Sequence, residues 1–169
     1  MKKLFILFIA VVGFGVSSYG QVSATATSAA TIVTPISITK TVNMNFGNVS
    51  VNANAGTVVL TPAGTRSVTG GATTPATVGT VTAASFDIAG AINYTYTITL
   101  PAAATTLKHT NNTDQMTVDT WTSSPTPTGT LDGTGAQTLT VGATLNVGAS
   151  QLAGVYTSTA PFTVTVNYN

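Results

Sequence analysis

Ile92-Asn93-Tyr94-Thr95-Tyr96-Thr97-Ile98-Thr99-Leu100 decides the fold class. Every even position is apolar or aromatic, and every odd one is asparagine or threonine. Side chains along a strand point alternately to opposite faces, so the stretch predicts a strand with one dry and one wet face. Threonine suits the wet face because it is polar yet keeps the β-branched shape that fits a pleat. Pro101 has no N–H to give to a ladder and stops the strand.

The alternation recurs outward in both directions. Residues 161–169 place Phe162, Val164, Val166 and Tyr168 on one face. Residues 22–46 carry Val22, Ala24, Ala26, Ser28, Ala30, Ile32, Ile36, Ile38, Lys40, Val42, Met44 and Phe46 at even positions, with mostly Ser, Thr and Asn between them. Pro35 interrupts this run as a hinge. It splits off an N-terminal arm, with its strand over residues 22–33, from a first domain strand over residues 36–46. Further strands are predicted near Val49 and over residues 57–61, 66–69, 78–88, 106–112, 116–122, 137–141 and 144–147. Gly70-Gly71 is read as ending one of them, residues 123–129 with Pro125 and Pro127 as a loop, and Gly142 as a hairpin turn. Short, regularly spaced strands with no helical period beyond the N-terminus predict an all-β fold, a β-sandwich before a barrel.

Met1, Lys2 and Lys3 precede the apolar residues 4–16, and the small residues Ser17, Ser18 and Gly20 follow. That order is a secretory signal peptide. The apolar run is shorter than the roughly 20 residues a spanning helix needs, so it reads as a removable signal rather than an anchor. Residues 1–20 are assigned to the signal and residues 21–35 to the arm, leaving residues 36–169 as the domain of an exported protein. Beyond the signal, Lys40, Arg66 and Lys108 stand against Asp87, Asp114, Asp119 and Asp132, three cations against four anions and a balance of −1. No basic patch for nucleic acid or anionic lipid results. Cysteine is absent, so no disulfide staples the fold.

Candidates for chemistry are sparse. His109 is the only histidine, and with no cysteine or glutamate in the chain it does not build a closed metal site. A triad of His109, Asp114 and a serine lacks any Gly-x-Ser-x-Gly nucleophile turn, and His109 reads as a solvated loop residue. Gly70-Gly71 and Gly133-Thr134-Gly135 are turns, since a phosphate loop needs a following helix. Asp87 and Asp132 are single carboxylates, where calcium needs six to eight oxygens. Lys40, on the apolar face of its strand, meets half the requirement for a lysine–asparagine cross-link and lacks the acidic helper. The expectation is a protein with no cofactor, no metal and no enzymatic activity. Trp121, Tyr94, Tyr96, Tyr156 and Tyr168 are candidates for a sugar-binding face, with Trp121 the ligand contact.

The stretch from Ile36 through Asn45-Phe46-Gly47 to Val49, then Leu139 to Val147, Gly154-Val155-Tyr156 and the ending Phe162-Thr163-Val164-Thr165-Val166-Asn167-Tyr168-Asn169, resembles the bacterial domain of unknown function 4402 family. The Asn-Phe-Gly opening and the Val-x-Val-x-Tyr ending are also similar to spore-coat-U-type and other chaperone–usher pilus subunits. The resemblance implies an immunoglobulin-like, pilin-like β-sandwich that lacks one strand and receives it from the N-terminal arm of the next subunit. It implies a structural role in an extracellular, cell-surface filament of identical subunits, served by a periplasmic chaperone and outer-membrane assembly machinery. The arm's even side chains, Val22, Ala24, Ala26, Ser28, Ala30 and Ile32, would then fill the partner's groove. The other expectation is a secreted or surface carbohydrate-binding module.

Overall fold

The computed structural model describes residues 20–169, so the signal-peptide reading lies, but for Gly20, outside the described residues. The chain divides into two compact units, Met1–Ile32 and Val33–Asn169. In the first, residues 20–32 form no strand and are exposed throughout, with Val22 and Ile32 at 96% and 97%. The strand expected over residues 22–33 is thus not laddered within the single chain. Its apolar positions are mostly alanine and bury too little surface to hold an extended segment without a partner edge.

Among the described residues the second unit is built of strands alone. In chain order they are β1 (Ser37–Val42), β2 (Asn45–Phe46), β3 (Ser50–Leu60), β4 (Arg66–Thr73), β5 (Val81–Thr82), β6 (Ala84–Ala89) and β7 (Thr95–Thr99). There follow β8 (Thr105–His109), β9 (Gln115–Ser124), β10 (Thr128–Thr130), β11 (Ala136–Val147), β12 (Tyr156–Ser158) and β13 (Thr165–Tyr168). One curled antiparallel sheet runs β1-β6-β11-β9-β8-β12, with β3 added on β11 and β4 on β3. A three-stranded sheet runs β10-β7-β13, and β2 pairs with β5.

β11 organises the large sheet. Its first half, Ala136 to Val141, pairs with β6, and its second half, Ala143 to Val147, pairs with β3. Gly142 sits where the partner changes, and a β-carbon there would run into the Leu60 carbonyl and Pro62. The hairpin expected at Gly142 is therefore replaced by one continuous strand, because the glycine serves close backbone approach rather than a turn. Gly70-Gly71 likewise lies inside β4 instead of ending a strand. Opposite it, β3 bulges out between Val51 and Gly56, and a side chain on Gly71 would strike Asn54.

Other expectations also change. Residues 36–46 split into β1 and β2, with a bulge between Lys40 and Val42; Lys40 keeps its register opposite Phe86 but stands exposed at the edge of the sheet, and its Nζ donates to Asn43 Oδ1 at 2.7 Å. Residues 78–88 split into β5 and β6, and β10 forms inside the stretch read as loop. β12, which no alternating run announces, pairs with β8. The strand expected over residues 92–100 is shortened to β7, because residues 91–93 turn and leave Ile92 and Tyr94 exposed. Within β7 and toward the end of the chain the alternation sets the core as predicted. Tyr96 and Ile98 of β7, with Val164 and Val166, pack against Phe86, Ile88, Leu139 and Val141 in a first core. Val58, Leu60, Val118, Leu145 and Val147 form a second, and Met44 and Trp121 touch both.

Candidate functional site

The two cores differ in how they are covered. β7, β10 and β13 lie over the first. Over the second half of β11 and over β9 and β8, the facing layer consists of residues 43–49 and residues 151–162, with a groove between them. Its volume is about 1020 Å³, and its floor is apolar: Phe86, Leu107, Met116, Val118, Leu145 and Val147. These are the inward positions of β6, β8, β9 and β11, and the pleat makes them contiguous.

Main-chain edges border the groove. Among the described residues β2 is laddered only to β5 and β12 only to β8, and both line the groove. Each keeps one edge with unpaired backbone donors and acceptors, which is a template for another strand. One wall is fixed by Arg66, whose Nη1 donates to the carbonyls of Phe46 and, at 2.9 Å, of Asn48, while Nη2 is buried without a partner. The opposite wall is fixed by Tyr156. Its ring stacks on His109 at 5.0 Å, and its hydroxyl donates to the Leu152 carbonyl at 2.7 Å and accepts from Gln151 Nε2 at 2.9 Å. The rim beside it exposes Leu152 and Val155.

Trp121 lines this groove. Opposite Ala143, β9 carries two residues, Thr120 and Trp121, and the bulge holds Thr120 at φ 49°. The extra residue reverses the parity of the strand, so that Trp121 and Ser123 turn inward where strict alternation would have sent them out. Trp121 stacks on Phe162 at 4.5 Å, and its Nε1 donates to the Ala103 carbonyl at 3.3 Å. Of the other candidate aromatics, Tyr156 lines the same groove, and Tyr94, Tyr96 and Tyr168 do not. Tyr94 packs edge-on to Tyr168, and Tyr96 is fully buried with its hydroxyl donating to Gln137 Oε1 at 2.7 Å. Burial pushes the Tyr96 phenol up from its ordinary range.

Of the remaining sequence candidates, His109 and Asp114 meet at the turn between β8 and β9, where the His109 N–H donates to the Asp114 carbonyl at 2.8 Å, and Asp87 and Asp132 lie away from the groove. His109 is half-buried at the end of β8, not in a solvated loop, and its Nδ1 accepts from the Asn111 N–H at 3.1 Å. Asp114 accepts from Asn111 Nδ2 at 2.6 Å, and exposed Asp87 lies across the sheet from Thr138. Asp132 closes the Gly133-Thr134-Gly135 turn, accepting from the Thr134 hydroxyl at 2.6 Å and from the N–H groups of Thr134 and Ala136 at 2.7 and 3.0 Å. The Thr134 hydroxyl, then the backbone donors, hold its carboxyl below the usual aspartate range. Among the described residues no three His, Cys, Asp or Glu side chains gather as a metal-binding group.

The family model described as Domain of unknown function (DUF4402) matches residues 36–168, which span both cores and the groove. The chain belongs to this family. The match begins just after Pro35, so the family domain takes in both groove walls and leaves out the arm. No curated protein and no solved structure matches the chain. A groove was expected only through the resemblance, and its place and lining were not read from the residue pattern. Its signal was present only as a deficit: the pattern between Gly148 and Pro161 is too broken to predict a strand over the second core.

Proposed function

We propose that the protein is a structural subunit of an extracellular, pilus-like filament, polymerising head to tail as the arm of one copy adds a strand to the groove of the next. On this reading the domain is an immunoglobulin-like sandwich short of one strand, and the partners are identical subunits. The observation that carries it is an apolar groove bordered by unpaired strand edges, in a chain whose own alternating arm is fully exposed.

Dimensions support the pairing. A strand in a packed sheet takes roughly 3.3 Å along its axis, 4.8 Å across and 10 Å through, or about 160 Å³ per residue. The groove of about 1020 Å³ therefore accommodates about six residues. The shapes match as well: the floor is made of large side chains, and the arm offers small ones, Ala24, Ala26, Ser28 and Ala30, between Val22 and Ile32. Alanines contribute little burial, so the backbone ladder carries much of the contact, at about 1 kcal/mol net per hydrogen bond. A contact of this kind joins two different surfaces and does not close on itself, so it propagates. The signal peptide read from residues 1–20 agrees with assembly outside the cell.

Trp121 is the chain's one tryptophan and lines the groove, so it reports on occupancy. The mature chain from Gln21 should polymerise with a change in Trp121 emission, seen together with filaments by electron microscopy. Ala24→Asp with Ala26→Asp in the arm, far from the domain core, should abolish both. Filaments and emission unchanged in the double variant would remove the strand-donation reading. A glycan array on wild type and Trp121→Ala addresses the carbohydrate-binding alternative, which requires binding that the variant loses.

A further inference from the structure

We infer that each filament junction carries a second contact, in which Ile92 and Tyr94 at the root of the donor's arm dock on Leu152 and Val155 at the rim of the acceptor's groove. The inference rests on strand donation and adds to it the polarity of the arm and a surface that fixes how successive subunits meet.

Ile92 and Tyr94 are 57% and 44% exposed, in a turn too tightly braced for that exposure to be incidental. The Asn93 N–H donates to the Asp132 carbonyl at 3.2 Å, the Leu131 N–H to the Tyr94 carbonyl at 2.9 Å, and the Gly90 N–H to the Gly135 carbonyl at 2.9 Å. The Tyr168 hydroxyl accepts from the Ala91 N–H at 2.6 Å and donates to the Thr34 carbonyl at 2.8 Å. The same ring packs edge-on against Tyr94 at 5.5 Å. The exposed pair is thus tied rigidly to Thr34, the point from which the arm departs. Preorganised aromatic and aliphatic side chains lose little freedom on docking and are the usual anchors of protein interfaces.

Chain length then places this turn. From Ile32 to Thr34 is two residues, a reach of roughly 7 Å. Once Ile32 is seated in an acceptor, the donor's Thr34, Tyr168 and Tyr94 must lie against the acceptor's rim. The polarity follows from the course of the groove walls. Residues 37–49 run away from the Thr34–Tyr168 end, and residues 156–168 run back toward it. At its Phe86 and Phe162 end the groove stops against the first core, so an arm whose Ile32 finished there would have no room for the donor's body. At its other end lie residues 151–155, of which 152–155 are exposed, tethered to β3 by the Ser150 N–H on the Asn52 carbonyl at 2.9 Å. Ile32 emerges there, beside Leu152 and Val155, which are 48% and 65% exposed. The arm consequently runs antiparallel to residues 156–168, and the Ile92–Tyr94 face of one subunit covers the Leu152–Val155 face of the one before it.

The chain has no cysteine, so thiol pairs test both contacts in the full mature protein. One chain carries Ala26→Cys with Met44→Cys, reporting the arm in the groove; another carries Tyr94→Cys with Val155→Cys, reporting the docking face. Treated with a bis-maleimide, each is expected to give a ladder of covalent oligomers. A ladder from the first pair alone overturns the docking contact and leaves strand donation standing. A ladder from the second alone keeps the head-to-tail contact and overturns donation, and dimers or monomers from both overturn both. Independently, Ile92→Asp, which leaves the Tyr94–Tyr168 contact in place, is expected to lower polymer yield about tenfold at equal protein concentration. Undiminished polymer from that variant also overturns the docking contact.

Discussion

Asp132 shows how one side chain defines a turn in a protein with few charges. It takes three hydrogen bonds within its own loop, and these favour the carboxylate over the acid. Because the folded carboxyl titrates below its unfolded value, its contribution is complete above the ordinary aspartate range and is lost as pH falls through the lowered value. Asp132→Ala should therefore lower the melting temperature at neutral pH, and the gap to wild type should narrow at the acid end of a melting series. An equal gap throughout would show that the carboxylate is not the source. Gly142 is tested by alanine. Its missing side chain lets β3 and β11 meet, so Gly142→Ala should cost about 1–3 kcal/mol in denaturant unfolding, the usual cost of overpacking.

At the scale of elements, the groove walls are held by side chains rather than by long ladders. β2 has two residues and β12 has three, too few for either to be stable by pairing alone. Arg66 secures the first and the Tyr156–His109 stack the second. Tyr156→Ala removes that stack and the bonds to Gln151 and Leu152, so hydrogen exchange should quicken across residues 151–158 while β9 and β11 stay protected. Uniform exchange in the variant would mean that β12 is held by something else. Arg66→Met should loosen residues 46–48 and weaken assembly, since the buried guanidinium is what ties that wall to β4. The bulge at Thr120 also acts at this scale, because one added residue decides that Trp121 faces the groove and not solvent.

At the scale of the molecule, charged residues make up 5% of the chain, and neither the groove floor nor the Ile92–Tyr94 face depends on ion pairs. Polymerisation should accordingly change little between low salt and about 0.5 M sodium chloride, where the Debye length has fallen to a few ångströms. A steep loss of polymer over that range, read by sedimentation, would point to an electrostatic junction instead.

The sequence by itself determined the class of the fold and the dry face within β7 and β13, because alternation acts locally and over a few residues. Within Ile92 to Leu100 this holds for β7, where Tyr96 and Ile98 are buried as their parity requires, and fails for Ile92 and Tyr94, which the turn before β7 leaves exposed. Only the tertiary structure decided what Gly142 and Gly70-Gly71 are for, which way Trp121 points and where the groove lies. Those depend on bulges, on the change of partner along β11 and on the incomplete layer over the second core. Each is a relation between segments distant in the chain, and no local pattern encodes it.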